Sequence, residues 1–256
     1  MQSCKGAHVD DENGEDDAPA PYLKTDDDEE AVGALEMTAH LLEAAERDPQ
    51  RMWKWAVIAL HNAVQGFMVL NLRGTWNVGA LHRDQRTEKL KAQQVFYKAT
   101  AAGDEEAAAA ANEKMLWGEA ELASFVYLYA RIKDPDGVMI QFMHSRVFKP
   151  RENDDRCMNC LNDIRNEFMH YVPHVMRRFL LTQFPAVTEV GLHVISFLLN
   201  ESGNILWARG LDRRGLKSRA DDALRRAQEA LVRLQAAYTG YPLPRWPLCA
   251  AEPEEP

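Results

Sequence analysis

Between residues 52 and 72 the chain is apolar on almost every side: Trp53, Trp55, Val57, Ile58, Leu60, Val64, Phe67, Met68 and Leu70 leave only a narrow polar seam. A helix that is hydrophobic nearly all round has to be enclosed, so the rest of the chain must supply a shell around it. The seam consists of Lys54, His61 and Gln65, spaced by seven and four residues and therefore on one line, with Asn62 beside it. Gly74 is placed to stop the helix. Uninterrupted apolar runs are short. The longest, around 190–199, is broken by His193 and falls under the roughly 18 residues of a membrane span. No membrane partner is expected.

The flanking segments read as helices that could form such a shell. Residues 31–48 place Val32, Leu35, Leu41 and Leu42 behind an acidic first turn, and Asp48-Pro49 ends the run or starts the next. Residues 85–100 are mixed but rich in helix formers. From 105 to 132 an alanine run leads into Leu122, Phe125, Val126, Tyr129 and Ile132, which predicts one long amphipathic helix stopped by the turn Asp134-Pro135-Asp136-Gly137. Residues 138–147 alternate Val138, Ile140 and Phe142 like a strand, yet their neighbours are also apolar, and the segment is assigned to helix. Leu161, Ile164 and Phe168 predict a helix over 154–171 that ends before Pro173. Two short helices follow, around 176–180 and 187–198. The last helix, 218–238, turns Leu224, Ala227, Leu231 and Leu234 inward and Arg219, Arg225, Arg226 and Arg233 mostly outward. No fixed-period repeat is present. The expected fold is an all-α bundle occupying 31–240 as a single domain, between an acidic disordered tail at 1–30 and a Pro-rich acidic tail at 241–256.

The formal net charge of −9 hides an asymmetry. Residues 1–30 alone carry −9 and the last six carry −3, which leaves a mildly basic body of +3. A tail so rich in Asp, Gly and Pro cannot bury enough surface to order itself, and is expected to aid solubility or to compete for a basic groove on the body. Overall acidity therefore excludes no nucleic-acid ligand. The first thirty residues lack the basic start and apolar stretch of a secretory signal, and four cysteines, two of them (Cys4 and Cys249) near the chain ends, make no disulfide framework. A cytoplasmic protein with reduced thiols is expected.

Glycine-rich phosphate loops, nucleophile elbows, His-Glu-x-x-His helices and calcium loops are missing from the sequence, which removes the commonest enzyme classes. Cys157-Met158-Asn159-Cys160 has half the spacing of a zinc site, but with no second pair the thiols should simply pack on a helix, and neither metal nor cofactor is expected. The informative run is Leu161-Asn162-Asp163-Ile164-Arg165-Asn166-Glu167-Phe168-Met169-His170-Tyr171-Val172-Pro173. It gathers a permanent cation, an amide and a titratable imidazole near a helix end, a trio that can carry out phosphoryl chemistry without metal. On a regular helix Arg165 and His170 lie about 140° apart, whereas Asn166 and His170 share a face. A loosened helix end, a long Arg side chain, or a two-fold dimer that brings Arg165 of one chain to His170 of the other would close the gap.

Arg165-Asn166-x-x-x-His170, led by Ile164 and followed by Tyr171, resembles the Arg-x4-6-His motif of the HEPN (higher eukaryote and prokaryote nucleotide-binding) superfamily. The run from Trp55 to Phe67 resembles the opening long helix of bacterial domains of that type. The resemblance covers 50–72 and 158–173 and, loosely, the helices between and after them. It implies a dimeric α-helical bundle and a metal-independent endoribonuclease, often serving toxin–antitoxin or phage-defence systems, with RNA as substrate and an antitoxin protein as a further partner. Carried over residue by residue, it marks Arg165, Asn166 and His170 as catalytic. Glu167 is a departure, since its carboxylate beside Arg165 could neutralise it and leave a non-catalytic module that binds RNA, a nucleotide or a protein. A purely structural bundle with Arg165 as a buried tie is a third reading. His61 is expected to be a satisfied core histidine, His174 an assistant or substitute for His170, the Trp and Tyr residues core, and the arginines of the last helix a solvated face before an RNA track.

Overall fold

The computed structural model describes residues 26–74, 78–117, 121–140, 142–170, 181–205, 207 and 213–239. Eight helices are present among them: α1 (Asp27–Ala45), α2 (Pro49–Leu72), α3 (Arg83–Ala102), α4 (Glu105–Trp117), α5 (Phe125–Lys133), α6 (Asp154–Met169), α7 (Gln183–Asn200) and α8 (Arg213–Ala237), with a 3₁₀ turn at Val78–Ala80. β pairing among the described residues is one bridge, between Leu81 and Leu122. The chain is all-α, as its periodicities predict. Most of the two tails, residues 1–25 and 240–256, lies outside the described residues, as do His174, Cys4 and Cys249.

The apolar helix α2 is the hub, packed against α1, α5, α6 and α7. Trp53, Val57, Leu60, Val64, Phe67 and Met68 are all buried. By length and composition alone α2 could cross a membrane, with a mean hydropathy of 1.3 over its best window, yet 67% of that window is buried inside the bundle. Asp48 caps its N-terminus by accepting from the Arg51 N–H, and Pro49 occupies the first turn, where a missing N–H goes unnoticed. Close approach sets two of its contacts. A Cβ on Gly66 would lie 2.9 Å from the Ala31 Cβ of α1, and one on Gly191 of α7 would sit 3.0 Å from Leu60.

Helix α1 starts at Asp27, four residues before the expected boundary of the body, because Asp26 accepts from the Asp28 and Glu29 N–H groups and the acidic run forms the first turn rather than the end of a tail. It buries Val32, Leu35, Ala39 and Leu42 between α2 and α8.

Two helix assignments change. The predicted helix 105–132 is two helices, α4 and α5, separated by Glu121–Ser124. There the Ala123 N–H donates to the Ala80 carbonyl, the His82 N–H donates to that of Glu121, and Ser124 caps α5 by accepting from the Tyr127 N–H. Residues 138–140 and 142–147 form turns and irregular chain instead of a helix. Their polar groups pair with the loop after α7: Asn204 donates to the Met139 carbonyl at 2.7 Å, Ser145 donates to Asn204 at 2.6 Å, and the Arg146 N–H reaches the Ser202 carbonyl. The last helix begins at Arg213, five residues early, and 183–200 forms one helix of 18 residues.

Helices α3 and α4 form a hairpin turned by Gly103, whose φ of 73° is the left-handed conformation that suits glycine. Among the described residues this hairpin joins the bundle through the 3₁₀ turn and the bridge beside it.

Candidate functional site

Helix α6 turns Cys157, Met158, Cys160, Leu161 and Ile164 into the core. The two thiols are buried one turn apart and form no disulfide. Asn162, Arg165 and Asn166 of the same helix are half-buried, with Arg165 at the edge of the buried face, one and two turns after Leu161 and Met158. Arg165 Nη1 donates to Asn166 Oδ1 at 3.0 Å, while Arg165 Nε is buried without a hydrogen-bond partner. The guanidinium also lines a groove of about 1150 Å³ that runs along α1 and α2.

Small residues make that groove: Gly33 and Ala34 on α1, Ala59 and Gly66 on α2, flanked by Met37, Trp55 and Ile58, with Asn62 and Gln65 of the predicted seam along its wall. Trp53 is core, but Trp55 is 50% exposed over the groove and so departs from the expected core role. Lys54 of the seam lies 5.2 Å from the Trp55 ring centre and 5.9 Å from that of Phe168 on α6. Leu81 and Leu122, the bridge residues, close one end.

Charges in the lining are unequal in status. Arg73 pairs with the buried Asp28 at 3.0 Å, and Arg219 pairs with Glu29 and Glu36 at 2.9 and 2.8 Å. Arg165 has no carboxylate partner among the described residues, so Glu167 does not neutralise it. A guanidinium keeps its charge at any working pH, and this one is left uncompensated at the groove wall.

His61 reaches the same region from α2. It is 2% exposed and stacks on Phe125 with ring centres 4.1 Å apart. Its Nε2 lies 3.4 Å from Asn162 Oδ1, which assigns the imidazole proton to Nε2, and its Nδ1 is buried without a partner. Burial first, and the Arg165 charge second, push its pKa down to about 4. His61 is therefore a neutral core histidine, as expected, but not a satisfied one. The two partnerless buried atoms found among the described residues, a donor on Arg165 and an acceptor on His61, belong to residues near enough for the Arg165 charge to act on the imidazole.

His170 is elsewhere. It is the C-cap of α6, with φ −92° and ψ 107°, its N–H bonded to the Asn166 carbonyl at 3.0 Å and its side chain exposed. Neither His170 nor Asn166 lines the groove. The structure thus brings Arg165 together with Asn166, Asn162 and His61, and does not bring His170 to them within one chain. The Asn166 side chain serves Arg165 and not His170, although Asn166 and His170 are one turn apart. Asn162 was not singled out by sequence reasoning; its signal was the three-residue spacing to Arg165, opposite the polar seam of α2.

Four arginines of α8 meet carboxylates. Arg219, Arg226 and Arg233, seven residues apart, pair with Glu29 and Glu36 of α1, with Glu43 of α1, and with Glu46 at its C-cap, at 2.7–2.9 Å, and Arg225 pairs with Glu229 and Asp222 of its own helix. The Arg219 and Arg226 hydrogen bonds hold Glu36 and Glu43 below the usual carboxylate range. Comparison with known proteins gives no match to any family model, curated protein or solved structure.

Proposed function

We propose that the chain is a metal-independent endoribonuclease of the HEPN type that acts as a homodimer, in a toxin–antitoxin or phage-defence setting. The observation that carries the reading is the uncompensated Arg165 guanidinium at the wall of an open groove. A phosphorane oxygen gathers negative charge in the transition state, and a fixed cation with unspent N–H donors stabilises that charge more than it stabilises the ground state. Asn166 sets the Arg165 side chain through its amide oxygen.

His170, exposed at the helix end, is the proton carrier. Because it lies off the groove of its own chain, a second copy related by two-fold symmetry supplies the imidazole that meets Arg165. The ribose 2′-oxygen bonds to phosphorus and its proton passes to one imidazole. The P–O5′ bond breaks and the leaving oxygen takes a proton from an imidazolium, leaving a cyclic phosphate and a 5′-hydroxyl. DNA lacks the nucleophile and is not cut. Incubation with RNA in EDTA tests this: the parent cuts, His170→Ala and Arg165→Ala do not, and equal cutting by parent and variants, or none by any, overturns it.

A second reading, a module that binds RNA, a nucleotide or a protein without cutting, is favoured by the separation of His170 from the groove lining. RNA binding lost in Arg165→Ala, retained in His170→Ala and never followed by cleavage selects it.

A further inference from the structure

Four cations of α3 lack a carboxylate partner among the described residues, and we infer that the outward face of this helix is the docking track for single-stranded RNA, leading into the Arg165 groove. The inference rests on the reading of the protein as RNA-directed. Ala92 and Ala99 are the buried positions of α3 and mark its inner side. At 100° per residue, Arg83, Arg86, Lys91 and Lys98 fall within about 90° of the opposite direction, and both acidic residues of the helix, Asp84 and Glu88, fall outside that arc. Among the described residues none of these four cations has a carboxylate partner, in contrast to Arg219, Arg225, Arg226 and Arg233 of α8, which are spent on α1, its C-cap or their own helix. The stripe runs about 22 Å, the rise of fifteen helical residues, which spans several phosphates of an extended strand.

Two further features suit a nucleic acid. Tyr97, 55% exposed, stands among the cations with its ring open to stacking, and base stacking tolerates any sequence. At the root of the arm, Arg131 donates to the carbonyls of Gly79 and Leu81 at 2.9 and 2.7 Å, while Arg86 adds a second positive charge nearby that, after burial, lowers the proton affinity of Arg131. Continuity with the groove is covalent: Leu81 lines it, and Arg83 begins the stripe two residues later, within about 7 Å of chain.

The test measures binding of a fluorescent single-stranded RNA to full-length His170→Ala protein across salt concentrations. Each phosphate contact contributes a slope of about 0.7 in log affinity against log salt, or about fivefold at 0.1 M. Adding Lys91→Ala and Lys98→Ala, both exposed, is expected to weaken binding about 25-fold at 0.1 M and to flatten the slope by about 1.4. Tyr97→Ala should weaken it about tenfold with the slope unchanged. Arg225→Ala on α8 is the control and should bind like the parent. Unchanged affinity in the lysine variant, no RNA binding at all, or binding to phosphatidylserine vesicles in place of RNA each overturns the track. If the parent cuts RNA while the lysine variant binds as before, the track fails and the nuclease stands; if nothing is cut but the lysines govern binding, the nuclease fails and the track stands.

Discussion

A buried histidine held neutral makes the fold sensitive to mild acid in a way that can be calculated. In the unfolded chain His61 titrates at its ordinary 6.5, and in the native bundle at about 4. The folded pKa is depressed, so below pH 6.5 the unfolded state binds a proton that the native state refuses, and stability falls as pH drops from 6.5 towards 4 and levels off beneath it. The 2.5-unit gap corresponds to about 3 kcal/mol in all, of which about 2 kcal/mol is lost by pH 5. His61→Leu removes the titrating group while keeping an apolar side chain against Phe125. It also removes the orphaned Nδ1, whose burial costs about 1–3 kcal/mol and offsets the lost contact with Asn162, so the variant should match the parent near pH 7.5. Urea unfolding of both proteins at half-unit steps from pH 7.5 to 4.5 reads the difference, with carboxylate titration common to both curves. Parallel curves for parent and variant between pH 6.5 and 4.5 would refute the burial and the neutral state of His61 alike.

Three other outcomes follow from the packing. Gly66→Ala drives a methyl to 2.9 Å from the Ala31 Cβ and should destabilise by about 1–3 kcal/mol in chemical denaturation, because neither helix backbone can withdraw without opening the core. Asn71→Ala strips the buried amide that donates to the Phe67 and Leu198 carbonyls at 2.8 and 3.3 Å and accepts from the Ser202 hydroxyl, which keeps its bond to the Leu198 carbonyl; a loss of about 1–3 kcal/mol is expected in the same assay. The α1–α8 ladder is solvent-exposed, so raising NaCl from about 0.05 to 0.5 M should lower the midpoint of the parent and move that of an Arg226→Ala, Arg233→Ala double variant far less; equal shifts would show that the ladder contributes nothing.

The helical class was legible because the periodic elements are long and their faces distinct. Leu161, Ile164 and Phe168 located α6, and the apolar girth of 52–72 located the hub. Boundaries were legible only where a capping side chain was read as such. Asp26 looks like one more acid in a polar tail until its oxygen is seen to cap α1, and Ser124 looks like one residue inside a long amphipathic pattern until Ala80 draws Ala123 into an extended pairing. Alternation at 138–142 gave no helix because the partners of that segment, Ser202 and Asn204, lie some sixty residues away and no local rule contains them. At the site, the cluster of Arg165 with Asn166 was readable from adjacency. His61 was readable as core, but its lack of a partner depends on how α2 and α6 cross, which periodicity does not state.

Counting arginines by sequence would send a polyanion to α8, which carries three of them at seven-residue spacing, whereas the structure shows those three paired with carboxylates. Spacing by seven on one helix matters because α1 offers glutamates at 29, 36 and 43 with the same repeat, so the parallel pair α1–α8 consumes both sets. An ion pair formed within the fold must be broken before a phosphate can use its cation, and the release of counterions that drives nucleic-acid binding is then smaller. Cations with no carboxylate in reach face no such competition. On this reasoning the part of the surface that can attract RNA is decided less by how many basic residues a helix has than by what lies across from it: glutamates opposite α8, solvent opposite α3, and a neutral imidazole and two amides around Arg165.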